Sequence, residues 1–169
     1  MADGLEQAPA LLDFRTTAAF PREHSPNHEL VKPSGYAQLV AELHRRQGEM
    51  YAGGSIDAVL ELLADDVVWH VPGTSPIAGD HRGRAGVAAY FERRRALAQA
   101  TMRMHPGPVL AEGDAVVQLV AGSAELGGEQ VEWQTAGVYR ISGGRIAEVW
   151  LVPLELELFD RIWSRPSRS

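Results

Sequence analysis

From Gly35 onward, apolar side chains recur at helical steps. Tyr36, Val40, Leu43, Gln47 and Met50 fall three and four residues apart, giving one mostly apolar helix face. Gly53 and Gly54 end this helix, and Ser55 is placed to cap a second one with an inner stripe of Ile56, Val59, Leu60 and Leu63. Residues 67–71 read as a short buried strand, and the Pro-, Gly- and Asp-rich stretch 72–83 reads as a surface loop. Residues 84–100 predict a third helix whose core contacts are Val87, Tyr90, Phe91 and Leu97.

The remainder is rich in strands, predicted at 101–111, 115–121, 130–141 and 145–152. Pro106 and Pro108 imply an edge or a bulge within the first of them. Ser142, Gly143 and Gly144 form the tight link between the last two. Residues 154–163 predict a short closing helix. The order is helix, helix, strand, helix and a four-stranded antiparallel meander, an α+β domain over 34–163 with one sheet curled around three helices. Residues 1–33 carry Pro9, Pro21, Pro26 and Pro33 with no sustained period and read as a flexible N-terminal arm. Residues 164–169 read as a C-terminal tail.

Composition narrows the function. A chain of 169 residues suits one domain with a real core. Its formal charge of −6 disfavours nucleic acid, which needs a basic surface. Arg93, Arg94 and Arg95 are consecutive, so on a helix they fan around the axis and read as solvated surface. No run approaches the roughly 18–20 apolar residues of a membrane span, and the first residues lack the order of a secretory signal. With no cysteine, disulfides and thiolate chemistry are excluded, and a cytoplasmic location is expected. Phosphate loops, dinucleotide fingerprints, HExxH and calcium loops are all missing, so neither cofactor nor metal is expected.

Three stretches carry a resemblance: YAGGSIDAVLELLADDVVWHVPG from Tyr51, GDHRGRAGVAAYF from Gly79 and VYRISGGRIAEVW from Val138. Together they make residues 34–163 similar to the polyketide-cyclase-like (SnoaL-like) branch of the nuclear-transport-factor-2-like (NTF2-like) superfamily. The resemblance implies a conical fold, with three N-terminal helices packed on a curved, mostly antiparallel sheet. It also implies a pocket between sheet and helices, often in a homodimer. Its enzymes include ketosteroid isomerases, aldol-type polyketide cyclases, epoxide hydrolases and dehydratases, so the resemblance speaks to fold more than to reaction. By that resemblance the isomerase's base position falls at Val71, its tyrosine at Gln47 and its oxyanion aspartate at Gly137. Valine and glycine cannot do those jobs. The epoxide-hydrolase carboxylate falls at Leu151, equally unsuited.

Strand parity then proposes a lining, since alternate residues face opposite sides. Trp69 and Val71 go together, as do Trp133, Thr135, Gly137 and Tyr139, and Val149 with Leu151. Gln47 and Tyr51, one helical turn apart, present an amide and a phenol. Such a lining suits a hydrophobic small molecule, and Gly137 is expected to leave room for a substantial one. Histidine is the natural proton carrier near neutral pH. His44 precedes Gln47 by about a turn, His105 lies at a bulge expected before Pro106 that turns it inward, and His70 points by parity to the opposite sheet face. Two functions stand open. One is a cofactor-independent enzyme for cyclisation, isomerisation or dehydration, with a histidine moving the proton and Tyr51 or Gln47 steadying an enolate oxygen. The other is a non-catalytic binding or dimerisation module.

Overall fold

The computed structural model describes residues 35–165, so the expected N-terminal arm lies outside the described residues, as does all of the tail beyond Arg165. Ten elements follow in order: α1 Gly35–Tyr51, α2 Asp57–Leu60, β1 Leu63–Val71, β2 Gly79–Arg82, α3 Gly83–Ala98, β3 Arg103–Glu112, β4 Ala115–Leu126, β5 Glu129–Ser142, β6 Arg145–Pro153 and α4 Leu156–Trp163. The helices pack on one six-stranded sheet of order β2-β1-β6-β5-β4-β3.

Each strand from β3 to β6 pairs with its sequence neighbour, as the short turns require. The sheet is nonetheless mixed, because β1 runs parallel to β6, with Trp69 beside Val149 and His70 beside Trp150. Residues 72–83, expected as loop throughout, contain the four-residue β2, which pairs antiparallel with β1. Leu63 opens β1 and does not belong to α2, which is a single turn. The Arg84 guanidinium holds the Leu63 carbonyl, and the Leu62 carbonyl accepts the Ile146 N–H, so tertiary partners draw this chain out of the helix. Ser55 does cap the turn, its hydroxyl accepting the Asp57 N–H at 3.1 Å.

Helix α1 buries Val40, Leu43 and Met50 on the expected stripe and lies against β3 and β4. Helix α3 buries Val87, Tyr90 and Phe91 against β1 and β2. Helix α4 packs Phe159, Ile162 and Trp163 under β5 and β6. Its Asp160 carboxylate reaches back to the β1–β2 connection and accepts the N–H groups of Thr74 and Ser75 at 2.9–3.0 Å. Those bonds hold the Asp160 carboxyl below its usual range, although burial works the other way. At the end of α3, Gln99 and Ala100 both adopt the left-handed region, φ 46° and 63°. No helix among the described residues is long and apolar enough to cross a membrane.

Candidate functional site

The pleat sends alternate residues of β1 and β5 toward the helices. Along β5 the buried positions are Val131, Trp133, Thr135, Gly137, Tyr139 and Ile141, and along β1 they include Val67, Trp69 and Val71. Between this face and the helices lies a cavity of about 20 Å3, room for a single water. His44 and Gln47 come to it from α1, Arg94 from α3, Met104 from the start of β3 and Met102 from the residue just before it. The sheet adds Trp69, Val120, Gly122, Trp133, Thr135, Tyr139 and Leu151. Among the described residues no carboxylate lines it.

Two glycines decide how full it is. A Cβ on Gly122 would sit 2.3 Å from the Trp133 indole, and one on Gly137 would sit 2.3 Å from the Tyr139 hydroxyl. Each ring thus lies over bare backbone, where no larger residue fits beneath it. The room expected at Gly137 is therefore taken by a side chain of the same strand.

The most organised polar contact in the cavity joins residues from opposite ends of the fold. His44 Nδ1 lies 3.0 Å from the Val40 carbonyl, which can only accept, so that nitrogen carries the proton. Nε2 is then an acceptor, and the Tyr139 hydroxyl, 3.1 Å away, donates to it. Burial pushes the imidazole down to about 4, outweighing the Val40 and Gln118 contacts, which favour the charged form. Burial likewise pushes the Tyr139 phenol upward. At neutral pH both groups are uncharged, and the Tyr139 oxygen keeps a lone pair free to receive a proton.

Arg94 is the second notable polar group, and sequence reasoning missed it. Expected on the solvated surface, it is only 5% exposed. Its position carried the signal: seven residues after Val87, four after Tyr90 and three after Phe91, it continues the buried stripe of α3. The guanidinium carbon lies 5.5 Å from the ring centres of Tyr51 and Tyr90 and 4.6 Å from that of Trp163. One N–H donates to the Tyr90 hydroxyl at 3.2 Å. Nε has no partner, and Arg94 makes no ion pair among the described residues.

The remaining expected residues divide by place. Gln47, Trp69, Trp133, Thr135 and Leu151 do border the cavity together with His44 and Tyr139. Gly137 lies beneath Tyr139. Tyr51 is buried in the core beside Arg94, its hydroxyl unpartnered, and Val149 is core as well. Val71 is buried and borders a groove on the outer side of the sheet. His105 is exposed on β3 opposite Ala121. The bulge expected to turn it inward falls later, between Pro106 and Val109, so Met104 takes the inner position.

His70 belongs to the outer side, as parity predicts. Its ring stacks on Trp150 at 5.3 Å, with Nδ1 2.6 Å from Asp80 and Nε2 3.0 Å from Glu148. Burial alone would lower its pKa, but hydrogen bonds to Glu148 and Asp80 raise it. Arg140 in turn holds Glu148, and Arg82 holds Asp80. The groove beside them has a volume of about 350 Å3. No group of three or more His, Asp or Glu side chains able to hold a metal occurs among the described residues.

Solved structures of similar shape are numerous. Bal32a, from a soil-derived mobile gene cassette, is 29% identical, with 76% of this chain and 98% of that one covered at a TM-score of 0.67. A protein of unknown function with a cystatin-like fold from Xanthomonas campestris is 23% identical, with coverage of 77% and 98% and a TM-score of 0.67. An NTF2-like protein of unknown function from Burkholderia pseudomallei is 22% identical, with coverage of 78% and 98% and the same TM-score, 0.67. No curated protein matches the chain. The SnoaL-like domain model matches residues 44–149. With the α+β architecture already described, that match settles the family: the chain belongs to the SnoaL-like domains of the NTF2-like superfamily.

Proposed function

We propose that the protein is a cofactor-independent enzyme that moves a proton on a small, mainly apolar molecule during a cyclisation, isomerisation or dehydration. The observation that carries this reading is the buried pair of His44 and Tyr139 at the wall of an aromatic cavity. A C–H bond placed against the Tyr139 oxygen gives up its proton there while Tyr139 passes its own to His44 Nε2. An enolate and an imidazolium result, and the reverse transfer to a different atom completes an isomerisation. His44, neutral and poorly basic, suits a carbon acid already activated by a neighbouring carbonyl. Val71 and Gly137 leave no route for the isomerase mechanism based on two aspartates.

The rival reading, binding without turnover, is favoured by the low basicity of His44 and by the small size of the cavity. A homodimer remains part of the proposal, with Val152, Leu154 and Leu156 as apolar side chains exposed in and after β6.

Deuterium exchange separates the two. In D2O, the α-proton signals of the apolar ketone β-tetralone are followed by NMR with wild type, Tyr139→Phe and His44→Gln. Exchange that the protein accelerates and both variants lose supports the enzyme. Saturable binding of the ketone with no acceleration sinks it and leaves the binding module.

A further inference from the structure

We propose that Arg94 makes the inner cavity a site for organic anions, with the carboxylate of a small apolar acid as the group it receives. A guanidinium removed from water is costly unless its charge and its N–H groups are answered. Here the answer from the protein is incomplete. Tyr90 accepts one hydrogen bond, and the faces of Tyr51, Tyr90 and Trp163 hold the cation without supplying a negative charge. Nε is left with its N–H unused on a side chain that lines the cavity.

A second donor stands in the same lining. Trp69 is 3% exposed, and its indole N–H likewise has no partner. These two groups are donors that can never accept, so what completes them must be an acceptor, whereas the third unanswered group of the lining, Gln47 Oε1, takes a donor. A carboxylate matches the guanidinium in charge and in planar geometry. With no Asp or Glu among the described residues of the lining and His44 neutral, Arg94 carries the only formal charge among them. The other walls, among them Trp133, Met104 and Leu151, offer an apolar surface to the rest of the ligand.

The cavity of about 20 Å3 is too small for such a guest. Met104 and Leu151, partly buried at its border, are the side chains that must give way. Methionine suits that task, being unbranched and able to repack. The inference deepens the proposed function at the same site: Arg94 fixes the acid group, and the carbon frame is left beside Tyr139.

The test compares ligands of one shape that differ in charge. Benzoate, cyclohexanecarboxylate and the neutral benzamide are titrated into the full chain at pH 7, with the indole N–H of Trp69 followed by NMR. The expected result is saturable binding of at least one acid, at least tenfold tighter than benzamide. Arg94→Gln removes that preference, and Arg94→Lys retains it in weakened form. If Arg94→Gln does not fold, the charge comparison on wild type and Arg94→Lys still decides. Equal binding of acid and amide, or no response to either acid, overturns the inference. Acid binding that persists when β-tetralone exchange fails removes the proton-transfer reading alone, and the converse result removes only this one.

Discussion

The Tyr139 hydroxyl and His44 Nε2 meet at 3.1 Å although 95 positions separate them in the sequence, and the Val40 carbonyl holds the other side of the ring. The pair therefore has one orientation and one tautomer. Tyr139→Phe keeps the ring over Gly137 but leaves a buried acceptor unanswered. The expected cost is about 1–2 kcal/mol of stability, read by chemical denaturation, with β-tetralone exchange lost in the same variant. An unchanged midpoint would mean that His44 finds another donor.

Acid stability should report His44. Its folded pKa, about 4, lies below the unfolded value near 6.5, so between them the unfolded chain binds more protons. Stability is then lost as pH falls from 6.5 toward 4, by roughly 3 kcal/mol for this group alone. His70 has the opposite sign, because its raised pKa adds stability at low pH that fades as pH rises through the folded value. Denaturation midpoints of wild type and His44→Gln across this window isolate the first effect. The variant should lose less stability on acidification.

Gly122 sets the position of Trp133. A methyl group there meets the indole at 2.3 Å, so Gly122→Ala must push the ring off its edge-to-face contact with Trp163, now at 5.1 Å. Overpacking of this kind costs about 1–3 kcal/mol. The near-ultraviolet circular dichroism of the tryptophans should change as well. A spectrum identical to wild type would contradict the close approach.

The end of α3 holds untapped stability. Ala100 pays for a left-handed backbone that glycine adopts freely. Ala100→Gly is expected to raise stability by about 1 kcal/mol, seen as a higher thermal midpoint with cavity binding unchanged. A lower midpoint would show that the Ala100 methyl group contributes packing that outweighs its strain.

Asp160 is the clasp between α4 and the β1–β2 connection. Asp160→Asn removes the charge and one acceptor from the Thr74 and Ser75 N–H groups, at an expected cost of about 2 kcal/mol. Hydrogen exchange at those two amides should accelerate before the rest of the domain is affected. Uniform acceleration would mean that the clasp is not local.

Much of the fold was legible because period-two and helical patterns are local. Parity placed Trp69, Trp133, Thr135 and Tyr139 on one face, and the stripe of α1 placed Gln47 opposite, with His44 about a turn before it. β2 was hidden because four mostly exposed residues carry no hydrophobic period. The parallel β1–β6 pairing was hidden because register between distant strands leaves no local trace. His105 was misplaced by an assumption about which side of Pro106 the chain shifts. Arg94 shows a different failure: charge type was read ahead of helical phase, although the phase pointed inward. The meeting of Tyr139 with His44 depends on both the meander and the seating of α1, and no single segment encodes it.

The parallel seam between β1 and β6 also bears on how the molecule assembles. Strands β3 to β6 can zip through short turns, and β1 with β2 forms a small unit of its own. Trp69 meets Val149, and His70 meets Trp150, only when a loop of about 80 residues closes. Such non-local closure slows folding, and until it happens the edges of β1 and β6 present unpaired backbone to any passing strand. The seam joining the β1–β2 pair to the meander is thus the last part to form, and refolding yield should fall with protein concentration more steeply than the quick hairpins alone would suggest.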